Sequence, residues 1–264
     1  MFCGEHLLAA KLRRSNADAS AGSVAEIARI VGRIRARWPK VKILLRGDSG
    51  FAREALMAWC EMNKVDYLFG LARNARLVDQ IHIDLAWAED EAERTGKPAR
   101  RFADFRWTTL NSWTRRRRVV AKAEWMPGRS ETGANPRFVV TSLAAKEIDA
   151  RTLYERVYCA RGDMENRINE CQLDMFADRT SAATMKANQL RLWFASMAYV
   201  LLAALRRIAL AHTQLEKATC GSLRLKLMKI GAQVTVTVRR IRVAMASACP
   251  YAEEFALAHA RLCR

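Results

Sequence analysis

The sequence predicts an α/β protein, and two patterns lead to this prediction. Residues 23–72 alternate between helix-like and strand-like segments, which is typical of a layered fold with parallel strands. Residues from about 101 to 143 alternate aromatic or β-branched residues with polar ones, which predicts an antiparallel β unit. The chain has 264 residues, of which 51% are hydrophobic, so it is long enough to bury a large core.

The first half of the chain gives the clearest local signals. Residues 2–13 are mainly apolar with polar interruptions, which predicts a strand. Ser23 is predicted to cap a helix that Pro39 ends, because Glu26 follows it at the capping-box spacing. The segments VKILLRG (41–47) and VDYLFGLA (65–72) are short and apolar, which predicts two strands that are buried on both faces.

Helical and strand patterns divide the remainder of the chain. Helices are predicted at 51–63, at 75–95 and from 146 to about 176. The sequence further predicts one long or kinked helix over 182–215, then two strands with basic outward positions, and a closing helix at 251–262. The longest uncharged apolar run, 192–205, is 14 residues long, which is too short to span a bilayer and predicts a buried helix.

The charge of the chain restricts its partners. Lys and Arg number 45 against 27 acidic residues, which gives a net charge of +18. Such a charge repels itself, so a polyanionic partner is expected, and nucleic acid is the usual one. A membrane surface is disfavoured because no long, clean amphipathic basic helix is present.

The run of four arginines and Asp48 each allow both a purely structural and a functional interpretation. Arg115, Arg116, Arg117 and Arg118 form a run among tryptophans, which fits a solvated strand face or a phosphate-contacting hairpin equally well. Asp48 stands where the predicted strand 41–47 stops. It fits an ordinary turn, which is the commoner case, or a metal ligand at the end of a strand.

The segment YCARGDMENRINECQLD (158–174) presents a third cluster. At 100° per residue, Tyr158, Arg161 and Glu165 share one face of a helix, although Arg161 and Glu165 also fit a plain surface ion pair. On this geometry Asp163, Arg167 and Glu170 point elsewhere and are expected to be solvated.

Together, Asp48 and the motif Tyr158-x2-Arg161-x3-Glu165 resemble the RNase H-like catalytic domain of DDE transposases from bacterial insertion sequences. The resemblance is to the group with a Y-x2-R-x3-E signature, and it covers nearly the whole chain, including RGDSGFAREALMAWC and DYLFGLARNARL. It implies a mixed sheet with flanking helices, a β-strand insertion before the Glu-bearing helix and a helical C-terminal region. The expected divisions are 1–96 for a partial core, 97–145 for the insertion and 146–264 for the remainder.

The resemblance also implies a chemistry. Members bind transposon ends, cut DNA with two Mg²⁺ or Mn²⁺ ions and join the freed end to target DNA. Asp48 matches the second aspartate and Glu165 the glutamate of the three metal-binding carboxylates. Tyr158 and Arg161 match the residues that orient the glutamate and contact phosphate. DNA is therefore the expected partner, self-association is left open, and the expected location is the bacterial cytoplasm at the nucleoid.

The sequence departs from the family pattern at two points. No residue between 1 and 47 convincingly replaces the first aspartate, since Asp18 lies in a predicted loop and Glu5 in mid-strand, and Gln172 stands where a lysine is common. The expectation is therefore an N-terminally truncated transposase that is inactive alone. The alternative is a non-catalytic basic DNA-binding remnant. An RNA-binding protein is a third and weaker alternative, because no RNA-recognition signature occurs.

Overall fold

A computed structural model describes residues 1–18, 20–127 and 133–263, apart from the side chain of Arg161. The chain forms two compact units. The first comprises Ser15–Arg161, and the second comprises Met1–Arg14 together with Gly162–Arg264. The three-part division expected from the sequence remains a prediction.

A five-stranded mixed sheet forms the centre of the first unit. Its strands, in spatial order, are β3 (Leu44–Gly47), β4 (Asp66–Leu71), β7 (Arg137–Thr141), β6 (Arg117–Trp125) and β5 (Ala99–Trp107). β3 and β4 are parallel, and the other neighbouring pairs are antiparallel. The predicted α/β class is thus confirmed, and the sheet is compatible with an RNase H-like fold. The antiparallel strands continue the same sheet as the parallel pair.

Helices cover this sheet, and they follow the predicted order. They are α1 (Ser23–Arg37), a 3₁₀ turn (Ser49–Phe51), α2 (Glu54–Met62), α3 (Ala75–Asp79), α4 (His82–Thr95) and α5 (Ala150–Thr152). A π-helical segment (Leu153–Tyr158) and a 3₁₀ turn (Cys159–Arg161) extend α5. The core beneath them contains Leu56, Met57, Tyr67, Phe69, Val119 and Val140.

Two predicted details of this unit are wrong. The segment 41–47 was expected to be buried on both faces, but β3 is an edge strand of the described sheet and Leu44 is 38% exposed. The predicted cap of α1, Ser23, is instead its first residue. Gly22 occupies the cap position with a left-handed φ of 73°, a conformation that glycine adopts without a steric penalty.

The second unit contains short strands at both ends of the sequence. β1 (Phe2–Cys3) and β2 (His6–Leu7) form a small hairpin. The predicted strand at 2–13 is therefore wrong, because Gly4, with a φ of 58°, reverses the chain. The two strands predicted over 223–245 are confirmed only within 232–245, as the antiparallel pair β8 (Ala232–Val236) and β9 (Ile241–Met245), because residues 223–227 are helical.

Helices form the core of the second unit. They are α6 (Gly162–Asn169), a π-helical segment (Glu170–Asp174), α7 (Met185–Ile208), α8 (Cys220–Leu227) and α9 (Ala252–Leu262). They pack around buried residues that include Tyr199, Leu210, Leu215, Cys220 and Leu223. No helix in the described ranges has the length and apolarity that crossing a membrane requires.

Burial in this unit differs from the prediction at one segment and at one residue. The run 192–205 was expected to be a buried helix, but only one face of α7 is buried, and Trp193 on the other face is 54% exposed. Glu170 was expected to be solvated, but it is buried. Its carboxylate pairs with Arg206 and accepts a hydrogen bond from the backbone N–H of Cys220, which draws it into the core.

A buried ion-pair network links β6 to α2 in the first unit. The Arg117 guanidinium donates to Glu54 at 2.6 Å and to Glu61 at 2.8 Å. Burial alone would raise the pKa of Glu61, but hydrogen bonds from Arg117, Tyr67 and Arg115 outweigh it and lower the pKa. The hydrogen bond from Arg117 likewise lowers the pKa of Glu54. Both carboxylates therefore stay ionised in the fold.

We expect the substitution Arg117→Ala to lower the free energy of unfolding by about 3–5 kcal/mol, because it leaves Glu54 without a cation and Glu61 with only the exposed Arg115. Urea unfolding measures this loss. Arg115→Ala is the matched control, because Arg115 pairs with the same Glu61 but its side chain is 57% exposed. The control should lose at most about 1 kcal/mol.

The difference in unfolding free energy between Arg117→Ala and Arg115→Ala should become smaller in acid. The folded-state pKa values of Glu54 and Glu61 are lowered, so the stability they contribute is present above their ordinary value of 4.5. It is lost as the pH falls through the lower folded values. Two results would contradict this account. One is an equal loss of unfolding free energy in Arg117→Ala and Arg115→Ala at neutral pH, and the other is a difference between them that stays the same at about pH 3.

Candidate active site

Asp48 lies directly after β3 and is exposed. Its backbone is extended, and its Oδ1 accepts a hydrogen bond from the backbone N–H of Gly50 at 2.8 Å, which caps the 3₁₀ turn Ser49–Phe51. The turn interpretation of Asp48 is therefore confirmed. Among the described residues, no group donates a hydrogen bond to Oδ2, so the carboxylate retains an oxygen for a ligand while it caps the turn.

A cleft of about 340 Å³ opens beside Asp48 within the first unit. It lies where the carboxyl ends of the parallel strands β3 and β4 meet, which is the usual position of ligand sites in open α/β sheets. β7 contributes the opposite wall through its start. The lining residues include Asp48, Ser49, Gly70, Arg73, Arg137, Tyr154 and Tyr158.

Gly70 in β4 lets two chain segments approach this cleft. A methyl group at this position would lie 2.7 Å from the Tyr158 hydroxyl oxygen and 3.0 Å from the backbone nitrogen of Ser49. A larger residue would therefore displace Tyr158 or the turn that carries Asp48. The structure thus brings the signature tyrosine and the predicted metal-binding aspartate into one cleft.

A hydrogen bond from β3 and the packing of two tyrosine rings hold the segment that carries Tyr158. The Arg46 guanidinium in β3 donates to the carbonyl oxygen of Val157 at 2.8 Å. The Tyr154 and Tyr158 rings pack with their centroids 5.5 Å apart. Burial is the main reason that the pKa of Tyr154 is raised, so this phenol stays protonated.

The helical geometry expected for the signature differs from the observed one. Tyr158 ends a π-helical segment, and residues 159–161 form a 3₁₀ turn, so the rotation of 100° per residue does not hold between Tyr158 and Glu165. Glu165 is an exposed residue of α6, in the second unit. The Arg161 side chain lies outside the described residues. The meeting of Asp48 with Glu165 therefore remains a prediction.

The four predicted DNA-contacting arginines separate into two pairs. Arg117 and Arg118 are buried, so neither a solvated face nor a phosphate contact fits them. Arg118 pairs with Asp104 at 2.6 Å, and it also donates to the carbonyl oxygens of Leu143 and Ile148. Arg115 and Arg116 are exposed, and their contact with DNA remains a prediction.

Two arginines of the cleft were missed from the sequence. Arg73 follows β4 and Arg137 begins β7, and they reach one cleft because Leu71 pairs with Phe138 across the antiparallel strands. That register is a long-range property, so no local pattern indicates it. Gly70 was detectable, because an isolated glycine inside a strand pattern often marks a close backbone approach.

The chemical type of the acidic side chains suits a hard divalent cation. Asp48 and Glu165 are exposed carboxylates, the ligand type that Mg²⁺ prefers, and the arginines beside Asp48 suit phosphate. In the described part of the chain, however, no group of three or more His, Cys, Asp and Glu side chains comes together.

The fold and the cleft define an α/β domain with a carboxylate and flanking arginines at the ends of its parallel strands. The family model described as "Transposase DDE domain group 1" matches residues 1–264, and the chain therefore belongs to this transposase family. Proteins of this family bind DNA and generally use divalent metal ions. The search of curated proteins found no match.

We expect Gly70→Ala to lower the free energy of unfolding by about 1–3 kcal/mol, because the new methyl overpacks the contact with Tyr158 and Ser49. In a double-mutant cycle, Tyr158→Phe should restore at least about 0.5 kcal/mol to the Gly70→Ala variant, since it removes the closest atom. Urea unfolding of the four proteins measures both terms.

Gly32→Ala is the control for this cycle. Gly32 lies within α1, and no heavy atom is within 4 Å of an added methyl, so the substitution should stabilise the chain by up to about 1 kcal/mol. An unchanged unfolding midpoint for Gly70→Ala, or a cycle without coupling, would show that the close approach does not constrain this site.

Proposed function

We propose that the chain carries the catalytic region of a DDE transposase that cuts and joins DNA at insertion-sequence ends. The observation that carries this proposal is the shared cleft of Asp48 and Tyr158, in a chain that matches the family over residues 1–264. The arginines at the same cleft supply positive charge where a DNA phosphate would enter.

In this proposal Asp48 and Glu165 provide oxygen ligands for the divalent metal ions. When bound, two such ions would activate the attacking oxygen and stabilise the leaving one in an in-line displacement at phosphorus. Asp48 suits this task because the Gly50 N–H fixes its carboxylate at the end of β3. No protein nucleophile is required.

Other residues would position the DNA backbone. Arg73 and Arg137 are placed to neutralise a phosphate at the mouth of the cleft, because both line it beside Asp48. Tyr158 and Arg161 would orient Glu165 and contact phosphate, as the family resemblance implies. Arg115 and Arg116 would add outer contacts, whereas Arg117 and Arg118 are assigned to the fold because their donors are occupied internally.

We further propose that this chain alone does not cleave DNA. Two carboxylates hold a pair of metal ions less firmly than the three that the family uses. The described residues contain no three-member group, which also favours the second candidate function, a non-catalytic DNA-binding protein that competes with an active transposase for its ends. The two candidates predict DNA binding in common and differ in cleavage.

The purified chain is expected to bind DNA cloned from both sides of its gene but to leave the strands uncut in Mg²⁺ or Mn²⁺. End-labelled strands on a sequencing gel measure cleavage, and retardation of the same DNA measures binding. Asp48→Asn should bind DNA at least as well, because it removes a negative charge beside the arginines of the cleft.

Detectable metal-dependent cleavage at a 3′ end would contradict the claim of inactivity. Its loss in both Asp48→Asn and Glu165→Gln would then assign the catalytic role to this chain directly. Asp163→Asn is the matched control, since Asp163 is an exposed acid on the same helix as Glu165. A chain that neither binds nor cuts this DNA would overturn the proposed function.

A further inference from the structure

The β8–β9 ribbon, residues 232–245, is an antiparallel hairpin in the second unit. Among the described residues, its two strands pair only with each other, with Val234 opposite Val243, and every residue of both strands is exposed. An isolated two-stranded hairpin is marginally stable in water at best. A segment of this shape therefore suits a role in which another molecule covers it.

Charge identifies what kind of molecule this is. No Asp or Glu occurs between Glu216 and Glu253, whereas seven Lys and Arg residues do. Three of these, Arg239, Arg240 and Arg242, lie at or near the end of the ribbon. Within the described part of the chain, no carboxylate forms an ion pair with any of the three. This contrasts with Arg117, Arg118 and Arg206, which are buried against acidic partners.

The turn of the ribbon holds these arginines in a defined position. The Thr237 N–H donates to the carbonyl oxygen of Arg240 at 2.8 Å, and the Arg240 N–H donates to the Thr237 hydroxyl at 3.1 Å. Val238 stands at the tip and is fully exposed, with a relative exposure of 104%. The tip therefore presents one apolar side chain beside two arginines.

The two faces of the ribbon differ in polarity. One face carries Gln233, Thr235, Arg242 and Ala244. The other is apolar and consists of Ala232, Val234, Val236, Ile241, Val243 and Met245. An apolar face can also contact protein. However, burial of three unpaired arginines near such an interface would require acidic groups on the partner, whereas DNA supplies anionic charge along its whole length.

We propose that the β8–β9 ribbon is an arm that binds duplex DNA. Arg239, Arg240 and Arg242 contact backbone phosphates, and Val238 lies against the bases in the groove. The major groove of B-DNA admits a two-stranded β-ribbon, and an apolar side chain in that groove can contact the methyl group of thymine. The inference rests on the proposed function, because it assumes that the chain acts on DNA.

The test is a titration of duplex DNA with the full chain at several salt concentrations. Replacing Arg239, Arg240 and Arg242 together by Ala should lower the affinity at least about tenfold at about 100 mM salt. It should also reduce the slope of log K against log salt by about two to three, since each phosphate contact contributes about 0.9. Replacing the three by Lys should preserve the slope.

Matched controls distinguish the loss of specific phosphate contacts from a general decrease in the positive charge of the chain. Replacing the exposed residues Arg33, Arg37 and Lys40 by Ala removes the same charge from the other unit, and it should change the slope by less than about one. Val234→Ser combined with Val243→Ser alters the apolar face, and it should leave the slope unchanged.

Five outcomes of this titration decide between the arm and its alternatives. Loss of affinity only in the ribbon alanine variant supports the arm. Unchanged binding by that variant, or an equal loss in the charge control, overturns it. Loss of DNA affinity only in the apolar-face variant also overturns it, because DNA binding would then depend on the apolar face and not on the arginines. If the unaltered chain fails to bind DNA, the proposed function falls as well, which distinguishes the two failures.

Discussion

The candidate active site depends on the close approach of the Tyr158 hydroxyl to Gly70. Because β4 carries no side chain at this point, the turn after β3 and the segment after α5 can both lie against it. Arg46 in β3 holds the segment after α5 in place by donating a hydrogen bond to the carbonyl oxygen of Val157. Asp48 and Tyr158, which are far apart in sequence, therefore share one cleft as a consequence of one missing methyl group.

Charge is divided in this chain between arginines that build the fold and arginines that remain available. Arg117, Arg118 and Arg206 are buried and paired, and they stabilise strand-to-helix, strand-to-strand and helix-to-helix contacts respectively. Arg73 and Arg137 at the cleft, and the arginines of the β8–β9 ribbon, form no ion pairs among the described residues. Removal of an arginine from the first group should thus lower the stability of the fold, whereas removal of one from the second group should lower the affinity for DNA.

The sequence was a good guide where structure follows local patterns. Apolar spacing predicted α1, and short apolar runs predicted the parallel pair β3 and β4, because both signals come from neighbouring residues. The antiparallel strands were also predicted, but their continuation of the same sheet depends on pairing between β4 and β7. Such pairing is a long-range property that periodicity does not encode.

The candidate site was predictable in part for the same reason. Asp48 was identifiable from its place at the end of a strand, and the Tyr158 signature came from the family resemblance. The burial of Arg117 was not predictable, because four adjacent arginines look solvated and its partners Glu54 and Glu61 lie on a distant helix. The π-helical and 3₁₀ turns around Tyr158 likewise leave no mark in residue spacing.

We propose that Asp48 and Glu165 bind the same divalent ion, and this proposal can be tested directly. Replacement of Mg²⁺ by Fe²⁺, followed by peroxide and ascorbate, generates radicals that cut the backbone close to the bound ion. The account predicts two groups of cuts, one around Asp48 and one around Glu165, and both should disappear in Asp48→Asn and in Glu165→Gln. Cuts near only one of the two acids, or cuts near Glu165 that survive Asp48→Asn, would contradict it.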